Sequence, residues 1–334
     1  MADITILGSG GFGLALAYMC ANMEHSVTVW SAFQDEIDAI KRTGELRSKL
    51  PGVIIPKSVK LTTDISCVKD SEIVIIGIPS KFVGDVCSQA KEFIKPDAVV
   101  VSTSKGLENG TLKRMSEVIS EILTNPVVVL SGPSHAEEIG RGMPTTVVAA
   151  CEELSYASYV QKQLTNNTLR IYTNSDVIGC EIGGSLKNVI ALACGVLDGM
   201  GLGDNTKAAL ITRGLAEITR LGIALGANKS TFSGLTGVGD LIVTCTSMHS
   251  RNRRAGILIG QGVSAEEAVK RVGTVEGYFC TQTAYELAQK LSVEVPITEQ
   301  LYKILFDNQP ADVALRTLMS RESKHEAEED LYLF

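Results

Sequence analysis

Short runs of apolar residues, rich in valine and isoleucine, recur along the first half of the chain and are bounded by polar residues. Such runs are typical of strands that are buried on both faces of a parallel sheet. Longer segments with apolar residues at helical spacing lie between them, and strands that alternate with helices predict a doubly wound α/β fold. The predicted strands are residues 4–7, 26–30, 72–78, 98–103, 127–130, 145–150 and 169–172, and the predicted helices between them are residues 35–42, 81–93, 112–123 and 154–164.

The pattern changes near residue 176, after which helix signals recur without a convincing strand. Asn205 is a candidate N-cap for a helix over residues 206–225, and Ser264 with Glu267 forms a capping-box sequence. We therefore predict two domains: a Rossmann-type doubly wound sheet over residues 1–176 that binds a dinucleotide, and an all-α domain over residues 177–334 that binds substrate and carries the catalytic groups.

The first predicted strand meets three glycines, Gly8, Gly10 and Gly13, and an apolar helical segment follows them. In this context Gly8 makes a tight turn, Gly10 lets the backbone approach a pyrophosphate, and Gly13 allows close packing of helix on strand. The pyrophosphate would lie at the positive N-terminal end of the helix. The motif indicates binding of NAD or NADP; the alternative is an ordinary glycine-rich turn.

A residue that selects between the two cofactors is expected near the end of the second strand. The residues there are Ser31, Ala32 and Phe33, which are neither acidic nor basic. We therefore expect both NADH and NADPH to be used, with weak discrimination.

Length and charge narrow the class of protein. A chain of 334 residues is long enough for two domains, and a net charge of −7 argues against a general nucleic-acid binder. No apolar stretch is long and unbroken enough to predict membrane insertion. Eight scattered cysteines and four histidines without metal-ligand spacing predict a cytoplasmic protein without a metal or a disulfide.

The second half contains a lysine at an unusual place. Lys187 belongs to the segment, residues 183–189, that leads into a run, residues 189–196, that is apolar on every side and should be buried. Lysine is rarely buried without a partner, and a desolvated lysine can transfer protons near neutral pH. Asp240, in a glycine-rich turn, is the candidate partner. The alternatives are a lysine that extends to solvent at the helix start and a carboxylate that only caps a helix.

Three further segments carry polar groups suited to a phosphorylated ligand. Lys105 and the loop Gly132-Pro133-Ser134 each follow a predicted strand, where ligands bind in open α/β sheets. Residues 250–254, SRNRR, form the densest positive cluster, and arginine with an amide suits a phosphate group. Surface loops and a solvated basic face are the alternatives.

Taken together, these motifs resemble the bacterial NAD(P)-dependent glycerol-3-phosphate dehydrogenases, and the resemblance runs from residue 4 to about residue 305. The motifs that carry it are the glycine fingerprint, Pro79-Ser80, Lys105-Gly106, Gly132-Pro133-Ser134, and residues 186–191 (LKNVIA), 210–217 (LITRGLAE), 237–241 (GVGDL), 244–247 (TCTS), 250–254 (SRNRR) and 275–278 (VEGY).

The resemblance implies reversible reduction of dihydroxyacetone phosphate to sn-glycerol 3-phosphate, which feeds phospholipid synthesis, and it also implies a homodimer. It implies that Lys187 transfers the proton. The implied substrate-site residues are Lys105, Gly132, Ser134, Lys187, Asp240, Ser250, Arg251 and Asn252. The implied cofactor contacts, beside the three fingerprint glycines, are Gly11, Phe12, Lys105, Ala136, Arg251, Val275 and Glu276.

The chain departs from the family pattern at two places. The family often has serine followed by tryptophan or tyrosine where this chain has Gly11 and Phe12, and it commonly has arginine or histidine where this chain has Ala32. The first change removes a possible phosphate contact, and the second weakens the case for strong NADP preference. Two other hypotheses remain open: a dehydrogenase of the 3-hydroxyacid or 6-phosphogluconate type, and a dinucleotide-binding redox sensor without catalysis.

Overall fold

The protein forms two compact units, Met1–Val177 and Ile178–Phe334. The computed structural model describes residues 1–323, 325 and 326. The first unit combines a sheet with flanking helices, whereas every regular element in the described part of the second is helical. The predicted fold class, a Rossmann-type doubly wound sheet followed by an all-α domain, is confirmed.

The first unit is organised around a single eight-stranded sheet with the order β3-β2-β1-β4-β5-β6-β7-β8. All neighbouring strands are parallel except β6 and β7. Strand order reverses between β1 and β4, and ligands bind beyond the carboxyl ends of strands at such a switch point. The strands are β1 (Asp3–Leu7), β2 (Ser26–Trp30), β3 (Lys60–Thr62), β4 (Ile73–Ile76), β5 (Val99–Ser102), β6 (Val127–Ser131), β7 (Thr145–Ala150) and β8 (Leu169–Asn174).

Both faces of this sheet are buried, which explains why its central strands read as unbroken apolar runs. In β4, Ile73 and Ile75 belong to one hydrophobic core, and Val74 and Ile76 to another. Because successive strand residues point to opposite faces, these are the cores on the two sides of the sheet. The helices of this unit are α1 (Gly11–Asn22), α2 (Gln34–Thr43), α3 (Val83–Ala90), α4 (Met115–Ile122), α5 (Ala136–Gly140) and α6 (Leu154–Leu164).

The second unit is built around α7, in which all residues from Gly179 to Leu197 are buried. This helix is long and apolar enough to cross a membrane, but 89% of its most apolar window is buried inside the protein. It is therefore a core helix of this unit. The helices are α7 (Val177–Gly199), α8 (Asp204–Ala224), α9 (Lys229–Phe232), α10 (Asp240–Thr246), α11 (Arg251–Gly260), α12 (Ala265–Val272), α13 (Glu276–Leu291), α14 (Pro296–Phe306) and α15 (Ala311–Met319).

Helices α7 and α11 pack with their backbones in direct contact. A Cβ atom added at Gly195 would lie 2.1 Å from the carbonyl oxygen of Arg253, and one added at Gly256 would lie 2.1 Å from that of Leu192. Side chains larger than hydrogen at either position would force the helices apart. The glycines therefore fix the start of α11, with its arginine cluster, against the middle of α7.

The local sequence predicts one of the two helix N-caps correctly and the other incorrectly. The hydroxyl of Ser264 accepts a hydrogen bond from the backbone N–H of Glu267 at 3.4 Å, so the predicted cap of α12 is confirmed. The predicted cap at Asn205 is wrong, because α8 begins at Asp204 and its N-cap is Gly203. The short strand β3 and the short helix α5 were not predicted.

Candidate functional site

The glycine fingerprint forms the turn between β1 and α1. Gly8 has a φ of +124°, a conformation that side chains rarely adopt, and a Cβ there would lie 2.6 Å from the carbonyl oxygen of Gly77. A Cβ at Gly13 would lie 2.3 Å from the carbonyl oxygen of Gly8. The turn and the close packing of α1 on β1 therefore both require glycine.

Gly10 differs from the other two, because nothing in its unit requires a glycine there. A Cβ at Gly10 would meet only the Gly77 carbonyl oxygen, at an ordinary 3.7 Å. Gly10 is the N-cap of α1, supplies no capping side chain, and no acidic residue lies in the first turn. The N–H groups of this helix end are therefore suited to an anionic ligand, and the residues present fit the pyrophosphate of a dinucleotide.

Gly11 and Phe12, the first residues of α1, lie beside this helix end. A Cβ at Gly11 would lie 2.7 Å from the carbonyl oxygen of Lys49, so the loop that carries Lys49 occupies the space of a side chain. This contact gives a physical reason for glycine where the resembling family often has serine. Phe12 is partly buried and packs against the core, as does Ala136, the first residue of α5.

The loops after β5 and β6 come together in the first unit. The ammonium of Lys105 donates a hydrogen bond to the carbonyl oxygen of Gly132 at 3.2 Å, and the hydroxyl of Ser134 donates to the same oxygen at 2.9 Å. The structure thus gathers these three predicted substrate-site residues within one hydrogen-bonded group. They lie beyond the carboxyl ends of adjacent strands, where ligands bind in such sheets.

A carboxylate that the sequence reading missed lies at the end of β2. Glu36, in α2, accepts hydrogen bonds from the hydroxyls of Ser31 and Ser9. Residues 31–33, directly after the strand, carry no charge. In the folded protein, Glu36 of the following helix α2 reaches the end of β2.

In the second unit, Lys187 and Asp240 form a buried ion pair. The Lys187 side chain is 9% exposed and that of Asp240 is fully buried. The Lys187 ammonium donates to Asp240 Oδ1 and, at 2.8 Å, to the hydroxyl of Thr244. That hydroxyl in turn donates to the Asp240 carbonyl oxygen at 2.6 Å. Asp240 is the first residue of α10 and not its N-cap. Its carboxylate therefore acts as the partner of the Lys187 ammonium and not as a helix cap.

Asn252 has a different environment from the one its surface-like motif suggested. It is 7% exposed, its amide nitrogen donates to Asn188 Oδ1 at 2.8 Å, and its amide oxygen accepts from the Gly277 N–H at 2.8 Å. The side chain therefore ties the start of α11 to α7 and to the start of α13. Since Asn188 follows Lys187 in the chain, this contact also fixes the helix segment that carries the lysine.

The arginines of residues 250–254 divide into two kinds. Arg253 donates to Asp198 Oδ2 at 2.7 Å and to the Thr246 carbonyl oxygen at 2.6 Å, so it is used within the fold. Arg251 is exposed, and no hydrogen bond or ion pair to a described residue holds its guanidinium. The Ser250 hydroxyl caps α11 by accepting from the Arg253 N–H at 3.2 Å. Arg254 is exposed as well, so Arg251 and Arg254 are the arginines of this group with donors to offer a ligand.

The last two predicted cofactor contacts lie at the start of α13. Val275 is its N-cap and is fully buried, and Glu276 is its first residue and is half-buried. Gly277, next in the chain, is the residue whose N–H bonds to Asn252. These positions are thus held next to the start of α11.

Cysteines and metal-binding groups add no further chemistry to the described residues. All eight cysteines are free, and seven of them are buried. Burial raises the pKa of the Cys20 thiol, and likewise that of Cys280, to about 12, so these thiols stay protonated and unreactive. Residues 1–323, 325 and 326 contain no cluster of three or more histidine, cysteine or acidic side chains that could hold a metal ion.

Comparison with known proteins covers both units. The model of the N-terminal domain of NAD-dependent glycerol-3-phosphate dehydrogenases matches residues 3–157, and that of their C-terminal domain matches residues 176–316. A glycerol-3-phosphate dehydrogenase (NAD(P)+) from Clostridium acetobutylicum is 49% identical over 329 residues, covering 98% of this chain and 99% of its own. One from Thermoanaerobacter is 51% identical over 325 residues, covering 97% and 98%.

A solved structure gives the same result for the fold. The crystal structure of glycerol-3-phosphate dehydrogenase from Coxiella burnetii superimposes with a TM-score of 0.92 at 36% identity. The match covers 96% of this chain and 99% of that one.

Proposed function

The chain belongs to the NAD-dependent glycerol-3-phosphate dehydrogenase family, and we propose that it reversibly reduces dihydroxyacetone phosphate to sn-glycerol 3-phosphate. The reaction would supply glycerophospholipid synthesis. The observation that carries the proposal is the buried pair of Lys187 and Asp240 within the matched C-terminal family domain. A redox sensor would need only the dinucleotide-binding unit and would have no use for this pair.

The first unit, residues 1–176 in our assignment, holds the dinucleotide. The glycine turn and the uncapped start of α1 bind the pyrophosphate through backbone N–H groups. When bound, NADH or NADPH supplies the hydride that reduces the substrate carbonyl.

The second unit, residues 177–334, holds the substrate and moves the proton. The carbonyl oxygen becomes an alkoxide as the carbon is reduced, and the Lys187 ammonium donates a proton to it. Asp240 and Thr244 hold the ammonium in one orientation and balance its charge. In the reverse reaction the neutral amine takes the hydroxyl proton.

The phosphate of the substrate is bound by Arg251, whose guanidinium offers a planar fork of donors. Anchoring this remote group holds the carbonyl in reacting geometry. Asn252 acts mainly by fixing the start of α11, because its amide is already bonded to Asn188 and Gly277. Lys105, Gly132 and Ser134 are assigned to the substrate site from the resemblance and from their hydrogen-bonded cluster.

A spectrophotometric assay tests this function. We expect purified protein to oxidise NADH or NADPH when dihydroxyacetone phosphate is added, and to be inactive with 3-oxoacids. Activity with a carboxylate substrate and none with dihydroxyacetone phosphate would favour a dehydrogenase of the hydroxyacid type. Dinucleotide binding without turnover of either substrate would favour a sensor.

Two further assignments belong to the same proposal. The protein is cytoplasmic, in keeping with eight free cysteines, and it forms a homodimer, which rests on the family resemblance alone. Light scattering after size-exclusion chromatography tests the second assignment, and a mass near 35.7 kDa, that of one chain, would overturn it.

A further inference from the structure

Three polar side chains from separate parts of the first unit meet at the carboxyl ends of β1 and β2. Ser9 lies in the glycine turn after β1, Ser31 directly follows β2, and Glu36 is in the first turn of α2. The Ser31 hydroxyl donates to Glu36 Oε2 at 2.9 Å, and the Ser9 hydroxyl contacts both Glu36 Oε2 and, at 2.8 Å, the Ser31 oxygen. Both serines are buried, so the position of Glu36 Oε2 is fixed.

The other oxygen of this carboxylate remains able to accept a hydrogen bond. The Glu36 side chain is 16% exposed, and the nearest cation to Oε1 is the Lys49 ammonium at 3.8 Å, too far for a hydrogen bond. Phe33, in the same turn between β2 and α2, is 61% exposed and presents an aromatic ring to solvent. A fixed acceptor and an exposed ring beside the glycine turn suit the ribose and the base of an adenosine.

We propose that Glu36 is the residue that selects the cofactor, and that it makes the protein prefer NAD(H) to NADP(H). In dinucleotide-binding folds, an acidic residue at the end of the second strand accepts a hydrogen bond from the adenosine 2′-hydroxyl. Residues 31–33 lack such an acid, and Glu36 supplies it from the next helix. This inference rests on the proposed function, because it concerns the dinucleotide that the first unit binds.

The same carboxylate opposes NADP(H), because the 2′-phosphate would bring negative charge against an anion that two hydroxyls hold in place. Lys49 does not cancel this effect: its side chain is 47% exposed, and water therefore screens its charge. The carboxylate is the better-fixed charge of the two. Residues 31–33 alone predict weak discrimination between the two cofactors. With Glu36 taken into account, we expect a preference for NAD(H).

Direct titration of the purified full chain with each reduced cofactor, followed by nucleotide fluorescence, tests this without turnover. We expect wild-type protein to bind NADH at least about tenfold more tightly than NADPH, a difference of ~1.4 kcal/mol. Glu36→Gln should weaken the binding of NADH and strengthen the binding of NADPH. The ratio of the two dissociation constants should then change by about 100-fold, or ~2.8 kcal/mol. Because both cofactors are titrated into the same protein, partial loss of folded protein does not change this ratio.

Two controls separate recognition from general effects. Asp35→Asn removes the same charge from the same turn of α2 at an exposed side chain and should leave the ratio unchanged. NADH that lacks the adenosine 2′-hydroxyl should bind wild type more weakly than NADH does, and Glu36→Gln should change its affinity much less than it changes that of NADH.

The inference is overturned if Glu36→Gln leaves the ratio within about twofold of wild type, or if Asp35→Asn changes it as much. It is also overturned if wild-type protein prefers NADPH. In each of these cases the protein still binds a dinucleotide, so the proposed function stands. Failure to bind either cofactor would overturn both.

Discussion

Lys187 reaches across from α7 to bond to the carboxylate of Asp240 at the start of α10, and both side chains are buried. The two residues are 53 positions apart, so the pair exists only because the helices pack as they do. A lysine held in this way presents its ammonium in a single orientation, which a proton donor requires.

This ion pair has a consequence for stability. Removing one partner of a buried pair leaves an uncompensated charge and typically costs about 3–5 kcal/mol, whereas replacing both by apolar residues costs much less. We therefore expect Asp240→Leu to lower the free energy of unfolding by about that amount, and Lys187→Met in the same chain to restore at least about 2 kcal/mol of it. Urea unfolding measures both. If the double variant is no more stable than Asp240→Leu alone, the pair is not coupled as described.

The glycine turn offers a test that separates folding from binding. Gly10→Ala should fold as wild type does, because its methyl group would meet only the Gly77 oxygen at 3.7 Å. The variant should nevertheless bind NADH at least about tenfold more weakly, because that methyl group takes the place of the pyrophosphate. Gly13→Ala is the matched control and should lower the melting temperature, since its methyl group would lie 2.3 Å from the Gly8 oxygen. Wild-type affinity in the Gly10→Ala protein would contradict binding at this turn.

Arg251 is expected to bind the phosphate of the substrate. Arg251→Ala should raise the KM for dihydroxyacetone phosphate by at least about 100-fold, as loss of a charge-assisted contact of ~3 kcal/mol would do. It should hardly change the poor turnover of unphosphorylated dihydroxyacetone. Arg254→Ala is the control, because Arg254 is also exposed and lies one turn further along α11. Equal damage from both variants, or with both substrates, would show that Arg251 has no specific role.

Glu217 gives the protein a pH-dependent stability. It is buried in α8 and accepts hydrogen bonds from the Ile297 N–H at 2.6 Å and the Thr298 N–H at 3.1 Å, at the start of α14. Burial raises the pKa of Glu217 from 4.5 to about 7, although these hydrogen bonds lower it. The folded protein therefore holds this proton more tightly than the unfolded chain does, and the stabilisation present below pH 4.5 is lost as the pH rises through about 7.

We expect the free energy of unfolding to fall between pH 5 and pH 8, by no more than ~3 kcal/mol from this group. Glu217→Gln should remove that part of the pH dependence, which urea unfolding at several pH values would show. The same slope in both proteins would mean that Glu217 does not titrate in this range.

The strands and most helices were predictable because their signals are local. A central strand buried on both faces is a continuous apolar run, and its length is readable without knowing its neighbours. The short strand β3 was missed because it has only three residues and begins with the exposed Lys60. Asn205 was misread because the favoured capping residue type lies one position inside the helix that Gly203 and Asp204 already begin.

The site residues also divide into those with a local sequence signal and those without one. Lys187 was identified because a lysine beside an apolar run conflicts with its surroundings, and that conflict is visible locally. Glu36 was missed because its contact with Ser9 spans 27 residues and only the folded sheet brings them together. The hydrogen bond between Asn252 and Asn188 was not predictable, because the two residues are 64 positions apart; the place of Asn252 in the substrate site stays a prediction.

Single-turnover reduction of dihydroxyacetone phosphate by the Lys187→Ala protein tests the central claim most directly. With enzyme in excess and NADH saturating, the rate should fall by about 10²–10⁴, because general acid catalysis contributes factors of that size. Affinity for NADH should stay near wild type, and Lys187→Arg should restore little, since guanidinium holds its proton too tightly. A Lys187→Ala protein that binds NADH normally and keeps more than about a tenth of the wild-type rate would contradict Lys187 as the proton donor.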